Sequence, residues 1–229
     1  MGAKFKAAGG FAGIGFVVLL VISLIFGVNE DPPGFDASAE TYASYVSDNR
    51  GELQTVMALT LAAAPFFLLF LAGVVRTLRL SEERGPAMLA AVAFAGGILL
   101  VGLAQVGAGL QWAASYQGGA LDPGVVRTLW EAGQIVYVAT LGVGLAALAG
   151  AVGVVALATG AMSRLLGAAS VGVAIYVFVV MVITSFSETG AFSPSDGVLG
   201  QIGFIVFLAW VLAVSLALLS EKGQEETAA

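Results

Sequence analysis

Six stretches of this chain, residues 7–29, 53–75, 85–121, 132–163, 165–187 and 197–220, contain no Asp, Glu, Lys or Arg. An uncharged run of about 20 residues or more can cross the roughly 30 Å hydrocarbon layer of a bilayer as a helix. The pattern therefore predicts an all-α polytopic membrane protein. Its six transmembrane helices, near 8–28, 53–75, 86–116, 133–157, 166–186 and 199–220, are expected to form three hairpins. A short outer-surface helix is expected in the first loop. No connection is long enough to fold alone, and 59% of residues are hydrophobic, so residues 1–229 read as a single domain.

The basic residues set the expected orientation. Lys4, Lys6, Arg76, Arg79, Arg84, Arg164 and Lys222 fall on the side shared by both ends of the chain, whereas Arg50 and Arg127 fall opposite. Lysine and arginine accumulate on the cytoplasmic side, which predicts a multi-pass protein of the cell membrane with both termini cytoplasmic. The outer connections carry ten acids against those two arginines, a formal −8, while the cytoplasmic side comes to +2, in line with the total of −6. An acidic outer face can concentrate cations, but acids contribute little to topology and are tolerated in exported loops. Lys4 and Lys6 followed by an apolar run also imitate a secretory signal. The small-residue triplet 37–39 lies well past that run, beyond Pro32 and Pro33, so the first helix is expected to stay uncleaved.

Cysteine and histidine are both absent. Disulfides, thiolate or imidazole zinc sites, histidine-ligated haem, a cysteine nucleophile and a histidine base are thereby excluded. The apolar segments hold no lysine for a Schiff base and no arginine for voltage sensing. No phosphate-binding glycine loop occurs, and the few scattered bases do not suit nucleic acid. The expectation is a protein without catalytic residues, metal site or cofactor.

Thirty-one glycines need a purpose, and close helix contact supplies one. Gly9 and Gly13, and Gly142, Ala146 and Gly150, repeat at four-residue spacing and are expected to form packing ridges. The third segment adds Gly96, Gly97, Gly102, Gly107 and Gly109. Pro65 is expected to kink the second helix. The outer connections share proline, and the helix after each opens with glycine and glutamine, as in Gly133-Gln134 and Gly200-Gln201, which fits three successive hairpins of similar design. Residues 36–49 read as the surface helix, capped by Asp36 or Ser38 and stopped at Gly51. Trp112, Tyr116 and Trp130 fit an aromatic belt at the outer boundary.

Polar residues at membrane depth are the strongest pointers to function, because each must find a partner. Gln105, Trp112 and Tyr116 share one stripe of the third helix, and Glu131, Gln134 and Tyr137 step by threes along the fourth. Together with Tyr176, Thr184 and Gln201 they are expected to line an outward-facing polar cavity, with Glu131 and Glu188 at its rim. Interhelical hydrogen bonding by the amides and hydroxyls is the structural alternative.

The order of features is similar to that of uncharacterised six-helix bacterial integral membrane proteins grouped as a domain of unknown function. The likeness rests on an acidic loop ending in Asn49-Arg50-Gly51, a second helix running into Val75-Arg76-Thr77-Leu78-Arg79, and an alanine-rich third. It implies a helical membrane fold and no activity. Two functional readings follow. One is a non-catalytic accessory module that binds membrane lipids, a membrane protein partner or a second copy of itself. The other is a small transporter or channel with a polar path open to an acidic outer face. The absence of acids or bases at membrane depth favours the first.

Overall fold

The computed structural model describes residues 2–27, 32–82, 88–116, 120–184, 186, 191 and 198–220, and contains no strand among them. Eight α-helices follow in order: α1 (Gly2–Ile25), α2 (Ala39–Asp48), α3 (Arg50–Glu82), α4 (Leu89–Tyr116), α5 (Pro123–Ala139), α6 (Ala146–Thr159), α7 (Arg164–Thr184) and α8 (Val198–Ser220). A π-helical turn, Thr140–Leu145, joins α5 to α6 without a break. Six segments are long and apolar enough to cross a bilayer, counting α5, the π turn and α6 as one 37-residue rod. α2 is not among them.

Surface composition identifies the solvent. Phe11, Leu24, Ile25, Ile175, Phe178 and Ile205 are each more than half exposed, and only 22% of the most apolar window of α7 is buried. An apolar surface this extensive is incompatible with water and suits lipid chains. The architecture is that of a multi-pass membrane protein.

Helix boundaries depart from expectation where charge was used as the divider. α3 runs to Glu82, past Arg76 and Arg79. The fourth segment begins at Pro123, ten residues before the expected start. Proline suits the first helical position, and Asp122 caps it, its side chain accepting from Gly124 N at 2.8 Å and its carbonyl from Val126 N at 3.1 Å. Gly51 is not a stop. Asn49 ends α2, donating its N–H to Tyr45 O, and α3 starts one residue later. Ser38 is the α2 cap, its Oγ accepting from Thr41 N. Pro65 lies within α3, which stays one continuous helical segment across it.

Glycines set the distances between helices. A Cβ on Gly9 would lie 2.8 Å from Gly73 Cα, so α1 and α3 touch backbone to backbone. On Gly13 it would strike Ser215 of α8 and Phe70 of α3. α4 meets the fourth segment at two levels: a Cβ on Gly107 would lie 3.0 Å from Gly133 O, and one on Gly144 would lie 2.9 Å from Gly96 O. The two pairs have one sum, 107 with 133 and 96 with 144 both giving 240, the mark of an antiparallel pair in constant register. A Cβ on Gly153 would lie 2.9 Å from Gly167 O, so α6 meets the main chain of α7 there. Gly142, two residues from Gly144 in the π turn, faces Met181 of α7 instead, so the wide turn presents a glycine to each neighbour. Gly150 only makes ordinary contact with Ala174, Ala146 is half-buried beside the main core, and Gly102 and Gly109 face open space.

Neighbour relations do not follow sequence pairs throughout. α1 packs on α3, α3 on α4, and α4 on α5 and α6, but α7 packs chiefly on α6 while α8 packs chiefly on α1. The seam between α7 and α8 is thin, with Trp210 Nε1 donating to Ser170 Oγ at 2.9 Å and Tyr176 OH to Leu199 O at 3.0 Å. At the end of the bundle shared by Gly2 and Ser220, the buried carboxylate of Glu82 accepts from Ala90 N at 3.0 Å. It thereby caps α4 and places a negative charge at the positive end of that helix.

These contacts give a pairwise test. Gly144→Ala, whose Cβ would sit 2.8 Å from Leu100 N, is expected to destabilise the fold by about 1–3 kcal/mol. Gly102→Ala, which meets nothing within 4 Å, is expected to be neutral or to stabilise by up to about 1 kcal/mol. Unfolding of the two variants in mixed micelles measures the difference.

Candidate functional site

Two hydrophobic clusters divide the molecule. The main one fills the bundle, and a smaller one, built from Tyr42, Val46, Leu53, Ala114, Val126 and Trp130, lies under α2. α2 therefore seats on the start of α3, the end of α4 and the start of α5. Tyr42 is fully buried and donates to the carbonyls of Pro33 and Gly34 at 3.1 Å each. Tyr45 meets Trp130 edge to face at 5.6 Å. Trp130 is thus a core residue of this cap and not part of a belt; its indole N–H is buried with no acceptor among the described residues.

Both arginines at this end hold backbone. Arg127 Nη2 donates to Phe35 O at 2.8 Å, its Nε pairs with Glu131 at 2.7 Å, and its guanidinium lies 5.9 Å from the centre of the Tyr42 ring. Arg50 Nη2 donates to Tyr116 O at 2.6 Å, at the negative end of α4. The Arg127–Glu131 pair is partly solvated, so its worth is modest, but it satisfies both charges one turn apart on α5.

Beneath the cap a cleft of about 270 Å³ opens between α1, α3, α4, α5 and α8. One end is aromatic. Phe16 meets Phe67 in a tilted pair at 5.1 Å and Phe207 edge to face at 5.8 Å, with Phe204 beside Phe207. The walls are aliphatic, from Leu20, Val56, Met57, Ala64, Leu100 and Val101. Ser23, Thr60, Gln105, Gln111 and Tyr137 supply the polar atoms of the lining, and no charged side chain is among them. Thr60 is already satisfied by Val56 O at 2.9 Å. Among the described residues, the side chains of Ser23, Gln105, Gln111 and Tyr137 have no hydrogen-bond partner.

Of the expected cavity residues, the structure brings Gln105 and Tyr137 together in this cleft. It leaves the others outside. Gln134 is half-buried elsewhere on α5, Tyr176 is engaged by Leu199 O, Thr184 is buried near the end of α7, and Gln201 is exposed on α8. Glu131 is engaged by Arg127 and does not line the cleft; Glu188 lies outside the described residues. The most deeply buried amide, Gln111, at 3% exposure, was not foreseen. Its signal was present in the sequence, four residues after Gly107 and so on the helix face that meets Gly133, whose added Cβ would lie 2.7 Å from Gln111 Cγ.

Burial pushes the Tyr42 phenol up to about 12, with the Glu131 carboxylate adding to the shift and the Arg127 guanidinium opposing it. Burial favours the neutral phenol, so the stabilisation is complete below the ordinary tyrosine value near 10 and is lost as pH rises from there to about 12. Proteolytic nicking of the α2 region is therefore expected to accelerate over that interval in the parent protein. In Tyr42→Phe it is expected to be faster at neutral pH, since two hydrogen bonds are gone, and flatter between pH 10 and 12. No protein-family model matches the chain, and no curated protein or solved structure shows significant similarity to it.

Proposed function

We propose that this chain is a non-catalytic integral membrane module that receives a lipid chain in the cleft beneath α2. The observation that carries the reading is the cleft's lining, aromatic and aliphatic over most of its surface, open between helices and free of charge. At about 270 Å³ it exceeds the roughly 150 Å³ apolar cavity that stays dry and accepts benzene. It lies just below the usual range for drug-sized ligands, a fit for one chain and not two.

A transport reading draws less support. The amides and hydroxyls expected to form a polar path are distributed over separate faces, and the cleft's polar atoms lie among phenylalanines with no ionisable acid or base beside them. Coupled ion movement generally uses such a group at membrane depth.

Orientation belongs to the same proposal. With seven bases in the sequence segments on the side of the termini and two in those on the α2 side, both termini face the cytoplasm and α2 lies outside. The exposed Ser44 and Ser163 allow a direct check, because the chain has no native cysteine. Ser44→Cys is expected to react with an impermeant maleimide in intact cells, and Ser163→Cys only after permeabilisation; the reverse pattern overturns the orientation.

Lipid binding is tested by native mass spectrometry of protein extracted in mild detergent. The parent is expected to carry a lipid-mass adduct that Ala64→Trp, which fills the cleft, reduces at least about fivefold. A parent without an adduct, or an adduct indifferent to Ala64→Trp, overturns the reading.

A further inference from the structure

We infer that the cleft selects an uncharged single-chain amphiphile. Its head, an alcohol, ester or amide, is held by Gln111, Gln105, Ser23 and Tyr137, and its tail lies toward the phenylalanines. This rests on the lipid-binding reading above and specifies the ligand of the same site.

Three observations carry it. The first is polarity along the cleft. On α1 the lining runs from Phe16 to Ser23 and Leu24, on α3 from Phe67 past Thr60 to Met57 and Val56, and on α4 from Leu100 through Gln105 to Gln111. α1 and α3 are antiparallel, since Gly9 meets Gly73 while Phe16 meets Phe67. The polar residues of all three helices therefore lie on the α2 side of the Phe16–Phe67 pair, among aliphatic neighbours, and at 1.5 Å per residue Ser23 and Thr60 stand about 10 Å from those rings along α1 and α3. The site is amphipathic along its length, as a chain with a head requires.

The second is unsatisfied hydrogen-bonding capacity. Gln111 is 3% exposed and Ser23 6%, both line the cleft, and neither side chain has a partner among the described residues. A buried amide left unpaired costs about 1–3 kcal/mol, and no water is on hand in the hydrocarbon layer to supply the bond. An amide both donates and accepts, as do the serine and tyrosine hydroxyls. The complement is a head that does the same.

The third is charge. None of the lining residues carries a charge, and the Arg127–Glu131 pair is outside the lining. A carboxylate, phosphate or quaternary ammonium head would be buried without a counter-ion, which is strongly unfavourable. The volume argues against two-chained phospholipids on separate grounds.

The test uses the full chain reconstituted in phosphatidylcholine vesicles and four photoactivatable probes of equal chain length. One ends in an alcohol, one in a carboxylate, one in a trimethylammonium, and one is the plain hydrocarbon. Labelling is mapped to the peptides covering 56–67 and 100–111. The alcohol is expected to label these at least about tenfold more than either charged probe. Gln111→Leu is expected to lower alcohol labelling about fivefold, and Tyr137→Phe about threefold, with hydrocarbon labelling unchanged. Tyr137→Phe removes a single oxygen, so it carries the test if Gln111→Leu does not yield monodisperse protein. Equal labelling by charged and neutral heads, or alcohol labelling unchanged in these variants, overturns the selectivity while leaving a lipid site. Failure of every probe, the hydrocarbon included, overturns the lipid site as well.

Discussion

Backbone-to-backbone contact at glycine holds this bundle together. Lipid tails are as apolar as leucine, so helices in a bilayer gain nothing by hiding oil from oil; they gain by close packing. Gly9 with Gly73, Gly107 with Gly133, Gly96 with Gly144 and Gly153 with Gly167 each bring one helix against the main chain of another. Between them these pairs join α1 to α3, α4 to α5 and the π turn, and α6 to α7. Where no glycine pair occurs, at the seam of α7 and α8, side chains bridge the gap through Trp210–Ser170 and Tyr176–Leu199. The cleft arises from the same rule. Phe16, Phe67 and Phe207 hold α1, α3 and α8 at ring distance, and the space left toward α2 is lined by smaller and polar side chains.

Polar groups are otherwise handled locally. Thr60, Thr77, Ser81, Thr159, Ser170 and Ser215 all return their hydroxyls to a carbonyl one turn back on their own helix, the least demanding solution in a medium without water. Against that habit, Gln111, Gln105, Ser23 and Tyr137 make no side-chain hydrogen bond among the described residues and share one cleft, while the Trp130 indole and the Gln54 amide nitrogen are buried and unpaired outside it. The cap above follows a different logic. There charge is allowed, but each arginine is committed to a carbonyl, Arg50 to Tyr116 and Arg127 to Phe35. The two bases that depart from the positive-inside bias are thus accounted for by what they hold.

Much of the fold was legible because hydrocarbon imposes length and excludes charge, and both are visible in a bare string of residues. All six spans could be read this way, small-residue spacing gave the contacts of Gly9 and Gly13, and of the two caps expected for α2, Asp36 or Ser38, the structure uses Ser38. The same reliance on charge misplaced the start of the fourth segment, because Arg127 and Glu131, four apart, neutralise each other on a helix that has already begun at Pro123. The chief neighbours of the last two long helices were not legible, for another reason. Adjacency in the chain says nothing of whether α7 prefers α6, and that preference comes from the Gly153–Gly167 approach. Of the six residues expected to line a polar cavity, Gln105 and Tyr137 do line the cleft. Gln111 escaped because the polar stripe on α4 runs through Gln105, Trp112 and Tyr116, whereas the contact with Gly133 runs through Gly107.

The widened turn at Thr140–Leu145 acts as a phase shifter within a rod of 37 residues. Each residue of an α-helix rotates the chain by about 100°, so a single insertion or loss at this point would swing everything downstream by that angle while leaving everything upstream in place. Gly107 would keep Gly133, but Gly153 would turn away from Gly167. The half of the rod that braces the α2 cap and the half that anchors α7 are therefore set by separate registers, and this one irregular turn is what reconciles them.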